Sequence, residues 1–437
     1  MIGRLLRALL RDEVRGRLWR LEQRRRQIGD WFDDRTSFRR FLREGLYEAV
    51  PVKGAWWYSL GSATLILIML QVGTGIFLTF EYVPSPTDAW SSLEWVKEHD
   101  ANGEIVRGLH LWGAYVLMFV IGLHAVRTFT SGSYKKPREL NWVTGVTLLL
   151  LVLGLSITGA FLPWDQAAYW TAVVVTNIPG YTPVIGDFVR TLWRGGEFVG
   201  PATLTRTFGI HIWLLPGGLL TFILFHLLLL RKHGEFGSWV NYRGSWRTRP
   251  PREEDVARFE EAPAEAGEEL PRTPLDETTP LPPETERDAE PPYPTKPTDD
   301  GWSTPLETED FYPFQTMRDS LVSAALVALV TMLAILVPPS MEDRANPATT
   351  TYVPTPEWFY LPLDQLLLLL PKQLIVLIIF MPLAGVIFLF LVPWIDRGPE
   401  RDPFERAVVI LPALVIVLFM LILTLLGAGR LFTLPPP

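Results

Sequence analysis

Seven blocks of mostly uncharged residues recur along the chain, near 56–80, 108–129, 142–162, 207–230, 320–338, 373–394 and 407–428. Each holds about 20 residues, enough to cross a hydrocarbon core of roughly 30 Å as an α-helix. The pattern predicts an all-α integral membrane protein with four spans in one half and three in the other. The interval between the halves, EELPRTPLDETTPLPPETERDAEPPYP and its surroundings, is rich in Pro, Glu, Asp and Thr and has no apolar core of its own. It reads as a solvated, PPII-like or disordered linker. The division expected is therefore an extension over 1–50, a four-span domain over 51–240, a linker over 241–310 and a three-span domain over 311–437.

Charge changes the picture at the edges of the spans. The first fifty residues carry thirteen Arg, with Ile2, Leu5, Leu6, Leu9, Leu10, Val14 and Leu18 at helical spacing. That is the pattern of an amphipathic helix lying on an anionic membrane face, and it lacks the apolar core of a secretory signal. Lys135, Lys136, Arg138, Arg231 and Lys232 flank other spans on the same side, so the positive-inside rule predicts a cytoplasmic N-terminus and, after seven crossings, an outer C-terminus. The net charge of −7 averages this basic start with the acidic middle. No nucleic-acid partner is expected. The 437 residues include no cysteine, which excludes disulfides, thiolate-held iron–sulfur clusters and covalently attached haem.

Candidate chemistry lies inside the spans. HLWGAYVLMFVIGLH runs from His110 to His124, and HIWLLPGGLLTFILFH from His211 to His226. On regular helices a step of 14 falls about 40° short of whole turns and a step of 15 about 60° beyond, so each pair shares one face, separated by a rise of about 21 Å. An even number of crossings separates the two helices, which therefore run in the same direction. His110 can face His211 at the outer level, and His124 can face His226 at the inner level. Two stacked bis-histidine sites are what two b-type haems need; a metal or proton-relay cluster is the competing reading. His99 and His233 lie outside the pattern. Gly61 and Gly75, and Gly145 and Gly159, repeat the step of 14 on the first and third spans, as clearance for a flat macrocycle would require.

These residues, with TSGSYKKPRELNWVTGV (130–146), SITGAFLPWDQAAYW (156–170) and ATLTRTFGIH (202–211), resemble the cytochrome b/b6 family. The similarity covers about 50–235 and 311 to the end. The second half resembles the three-span subunit that is a separate polypeptide in b6f complexes. The resemblance implies a four-helix haem-binding bundle plus three further transmembrane helices, with two noncovalent haems b. It also implies that Arg107, Arg127 and Arg206 neighbour haem propionates, and that PEWF (Pro356, Glu357, Trp358, Phe359) forms an outer quinol-oxidising site with Glu357 as proton acceptor. Arg231, Lys232, Arg318 and Asp319 would serve an inner quinone-reducing site. Two departures stand out: Phe359 replaces the family's usual Tyr and is followed by Tyr360, and Ser59 occupies the place where the b6 branch bonds a further haem through cysteine.

The function so implied is that of the haem b subunit of a bacterial cytochrome bc-type complex. Quinol is oxidised outside, electrons cross through the two haems to a quinone inside, and protons are translocated. Expected partners are a Rieske-type iron–sulfur subunit, a c-type cytochrome or equivalent acceptor, membrane quinone and a second copy in a homodimeric complex, in the bacterial inner membrane. The alternative is a cytochrome b anchor that conducts electrons for an attached dehydrogenase without bifurcating them.

Overall fold

The computed structural model describes residues 24, 49–51, 54–99, 102–233, 308–371, 374, 377–398 and 400–431. The amphipathic helix expected in the first fifty residues and nearly all of the 241–310 linker lie outside these. Two compact units are distinguished, residues 1–53 with 238–311, and residues 54–237 with 312–437. In the first, β1 (Ala49–Pro51) pairs antiparallel with β2 (Thr308–Asp310), with Ala49 opposite Asp310 and Val50 opposite Glu309.

The second unit is helical. Its first half contains α1 (Ala55–Thr79), α2 (Ala89–His99), α3 (Gly103–Thr130), α4 (Glu139–Ala160), α5 (Gln166–Asn177), α6 (Gly186–Arg194), α7 (Pro201–Gly209) and α8 (Leu215–His233). A π-helical turn, Ile210–Leu214, joins α7 to α8 without a break. The second half contains α9 (Thr316–Leu336), α10 (Leu361–Leu369), α11 (Leu377–Ile395) and α12 (Ala407–Leu431). The long helices are apolar all round, as helices surrounded by lipid and by one another must be.

Six helices among the described residues are long and apolar enough to cross a membrane. The seventh expected block, 373–394, corresponds to α11, whose described apolar part, Phe380–Ile395, is shorter. Pro382 and Pro393 lie inside α11, each removing a backbone donor from its ladder. Six of the seven expected blocks thus correspond to long apolar helices among the described residues, and the seventh to the 19 residues of α11, which two prolines interrupt. The chain is an all-α, multi-pass membrane protein.

Packing is organised by antiparallel pairs, α1 with α3 and α4 with α8, while α9 lies against both α1 and α3. The central core contains Ala63, Leu67, Ile68, Leu117, Val120, Val152, Leu219 and Val330. Close approach of α9 to α3 depends on Gly108, where a Cβ would sit 2.9 Å from that of Ala334. On the face carrying the 131–138 loop, a buried ion cluster ties the two halves together. Asp396 accepts from Lys135 Nζ at 2.8 Å, Tyr134 Oη at 2.5 Å and Arg406 Nε at 2.9 Å. Arg406 also donates to the Thr130 and Phe129 carbonyls. Burial pushes the Asp396 carboxyl up, but the bonds from Lys135 and Tyr134 and the charge of Arg406 outweigh it and hold it below the usual range.

Candidate functional site

The π turn resolves the unequal histidine spacing. A π turn takes in one more residue than an α turn, so the 15 residues from His211 to His226 cover the arc that 14 cover on α3. His211 itself lies within that turn. The rings of His110 and His211 face each other with centroids 6.4 Å apart and planes at 73°. Two imidazoles on opposite sides of one metal, with bonds of about 2.0–2.1 Å, put their ring centres roughly 6.3 Å apart. His124 and His226 lie close enough to interact electrostatically. The expected partners are therefore brought toward one another where the α1–α3 pair faces the α4–α8 pair.

The glycines stand against these same rings. A Cβ at Gly75 would meet His110 Cε1 at 3.2 Å, at Gly61 His124 at 3.5 Å, at Gly145 His226 at 3.5 Å and at Gly159 His211 at 2.9 Å. Each of these glycines, on α1 or α4, thus stands against an imidazole edge of the helix it packs on, α3 or α8.

Threonines that the motif reading passed over complete the arrangement. Thr74, Thr144 and Thr158, each immediately before one of these glycines, place Oγ1 at 2.9, 2.9 and 3.0 Å from Nδ1 of His110, His226 and His211. Each hydroxyl donates its one proton to a backbone carbonyl, of Leu70, Asn141 and Gly154 respectively. It can then only accept from the ring, so Nδ1 carries the hydrogen and Nε2 presents its lone pair to the opposite histidine. The signal was legible as a Thr-Gly dipeptide at three of the four glycines.

This donor set fits haem. Among the described residues no group of three or more His, Cys, Asp or Glu converges, so each pair offers two nitrogens to a metal whose other ligands must come with it. Arg107 donates to the Ser340 carbonyl but leaves Nη1 buried without a partner, a cation suited to a propionate. Arg206 bonds the Leu192 carbonyl and lines an open apolar groove with Trp193, Ile210 and Trp213, beside His211. Arg127 lies over the Tyr58 ring, 4.3 Å from its centroid.

On the face opposite the ion cluster, Pro356 and Glu357 are half-buried just before the turn into α10, with Trp358 exposed beside them. Burial raises the Glu357 carboxyl above the usual range. The Phe359 ring packs edge-on against Tyr115 of α3 and Tyr360. The Tyr360 hydroxyl is committed to the Leu153 carbonyl at 2.7 Å. The LPWDQ segment approaches from α4. Asp165 caps α5 through Ala168 N and accepts from Glu342 N, while Gln166 N donates to the Asp343 carbonyl. Trp164 adopts a left-handed φ of 53° at this junction, unusual for a bulky side chain.

On the basic face, Asp319 accepts from Ser62 Oγ at 2.7 Å and Gln315 Nε2 at 2.7 Å, and Gln315 also donates to Ser59 at 3.1 Å. Arg318 Nη1 donates to the side-chain Oε1 of Gln315 at 3.5 Å. Ser59 is thus a buried link to α9. Arg231 and Lys232 lie at the end of α8, half-buried and exposed respectively.

The family model described as cytochrome b/b6/petB matches residues 47–234, and that of cytochrome b(C-terminal)/b6/petD matches 344–433. Cytochrome b6 of Prochlorococcus marinus (strain AS9601) is 39% identical over 210 residues, 48% of this chain and 96% of that protein. Cytochrome b6 of Synechococcus sp. (strain RCC307) is 38% identical with the same coverage. A chain of a structure titled "Hyperthermophilic respiratory Complex III" superposes with a TM-score of 0.67 at 23% identity, covering 93% of this chain and 92% of that one, a likeness of fold. With both halves matched and the histidine pairs and their glycines in place, the chain belongs to the cytochrome b/b6 family.

Proposed function

We propose that the protein is the haem b subunit of a bacterial cytochrome bc-type complex of the inner membrane, oxidising quinol at the Glu357 face and reducing quinone at the Asp319 face, with proton translocation. The observation that carries this reading is the facing of His110 and His211 at 6.4 Å with each ring seated against a glycine. His110 with His211, and His124 with His226, would hold the two haems b, which when bound supply one-electron carriers near each membrane face.

The residues of the chain provide the proton chemistry. Quinol releases two protons as it loses two electrons. Glu357, whose carboxyl burial makes more basic, is suited to take a proton as the electrons leave and pass it on to water. Pro356 and Trp358 would position the ring, and Phe359 closes the apolar side against Tyr115. On the basic face, Asp319, held by bonds from Ser62 and Gln315, is the group able to take up and hand on a proton, with Arg318, Arg231 and Lys232 as cationic neighbours. A Rieske-type subunit would take one electron of each quinol, a c-type cytochrome would accept it in turn, and a second copy would complete a homodimer. Because Ser59 is bonded to Gln315 and no cysteine exists, no covalent haem is expected.

The test is a reduced-minus-oxidised spectrum and pyridine haemochrome assay on the purified complex, with His110→Ala and His124→Ala variants. Two haems b per chain, one lost in each variant, are expected. Folded, unpigmented wild-type protein would overturn the reading.

A further inference from the structure

The four histidines are not held alike. His110, His211 and His226 each give Nδ1–H to a threonine hydroxyl, those of Thr74, Thr158 and Thr144. At the corresponding place before Gly61 stands Leu60, a buried hydrocarbon side chain. Gly61 admits the His124 ring as Gly145 admits that of His226, both at 3.5 Å, so the seat is the same and only the hydroxyl is missing. Among the described residues no hydrogen bond is made to Nδ1 of His124.

The missing bond has an electronic consequence. An acceptor on Nδ1–H pushes electron density through the ring to Nε2 and makes it a stronger donor to a metal. Stronger donation favours the oxidised metal, so each such bond lowers the reduction potential and each missing one leaves it higher. The His110/His211 pair has two hydroxyl bonds, and the His124/His226 pair has one.

We propose that this inequality sets the direction of electron transfer across the membrane: Leu60 leaves the metal held by His124 and His226 the more easily reduced of the two. The inference rests on the bis-histidine haem reading above and adds to it the residue that grades the two sites. Electrons delivered near Glu357 then run downhill toward the Asp319 face. Leu60 acts through His124 and touches no reacting atom, so it is a positioning residue. Arg127, one turn beyond His124 on α3, is common to wild type and variant, so the decisive variant changes Leu60 alone.

The experiment is a redox titration of the intact complex followed in the haem α band, on wild type, Leu60→Thr, Thr74→Val and Thr74→Ser. Leu60→Thr should lower the potential of one component only, the one absent from His124→Ala. Thr74→Val should raise the other component, and Thr74→Ser should restore it. In both single changes the gap between the two potentials narrows while haem content stays at the wild-type value. Should Thr74→Val fail to assemble, Leu60→Thr still decides. Fully haem-loaded Leu60→Thr with both potentials unmoved, or with the shift on the component lost in His110→Ala, overturns the inference and leaves the haem reading standing. Wild type with no haem overturns both.

Discussion

Replacing each of the four ring-facing glycines by alanine, one at a time, separates two reasons for having glycine there. In a helix interior alanine is favoured over glycine by about 0.5–1 kcal/mol. Against this stands whatever the new methyl group meets. At Gly61 and Gly145 it would rest 3.5 Å from Cε1 of His124 and His226, ordinary contact, so the helical gain should dominate and the variants should be neutral or slightly stabilised. At Gly75 the separation is 3.2 Å and the His110 ring must give by a few tenths of an ångström. At Gly159 it is 2.9 Å, and the His211 ring must move by about half an ångström, the margin within which a ligand stays productive. Overpacking of this kind costs about 1–3 kcal/mol. Displacing the ring also strains its bond from Nδ1 to Thr158, worth about 1 kcal/mol more. Gly159→Ala should therefore lose haem most readily, Gly75→Ala less, and the other two not at all. The assay is haem per chain by pyridine haemochrome, with thermal bleaching of the α band as a measure of retention. Equal loss in all four, or greatest loss at Gly145, would show that the glycines clear the macrocycle instead of the rings and would refute the reasoning.

Three further outcomes are expected. Glu357→Gln should slow quinol oxidation by the complex roughly 10²–10⁴-fold; because burial raises this carboxyl and the carboxylate is the active form, wild-type turnover should rise with pH through that raised value, and the variant should lose this limb. Asp396→Asn strands Lys135 and Arg406, a loss of about 3–5 kcal/mol for a buried ion cluster, read as a lower Tm in detergent. Since the folded-state pKa of Asp396 is depressed, its contribution is fully present above about pH 4 and disappears as pH falls through the folded value, so wild type and variant should converge in acid; a constant difference at all pH values would contradict this. Deleting Ile212 from the π turn should restore the 14-residue step used on α3 and keep both haems, whereas inserting an alanine there should cost one; equal damage from both changes would show that the π turn does not set the spacing.

Much of the site was legible in the chain because membrane helices are stringent. A span must be about 20 residues long and apolar, so a histidine inside it stands out, and two helices carrying matched pairs fix level, direction and partner by arithmetic alone. Glycines at the same interval add a second register, and the PEWF and LPWDQ segments point to a second place of chemistry near the opposite membrane edge. The threonines were equally visible as Thr74-Gly75, Thr144-Gly145 and Thr158-Gly159, but a threonine in an apolar helix ordinarily bonds its own preceding turn, as these do, and nothing in that pattern reveals an accepting lone pair aimed at another helix. Tyr115, adjacent to Phe359 only in space, carried no signal at all.

By itself the sequence determined the helical class, the run of apolar blocks, the histidine levels, the absence of any thiol and the break between two halves, because each follows from local composition or from a fixed rise per residue. Only the tertiary structure decided that the glycines face imidazoles, that a π turn makes 15 residues equal 14, and that Asp396, with Arg406 ten residues on, gathers Lys135 and Tyr134 from more than 250 residues away. Those facts depend on which helix surfaces meet, and a contact between distant segments is chosen by the packing of the whole and not by either segment's own pattern.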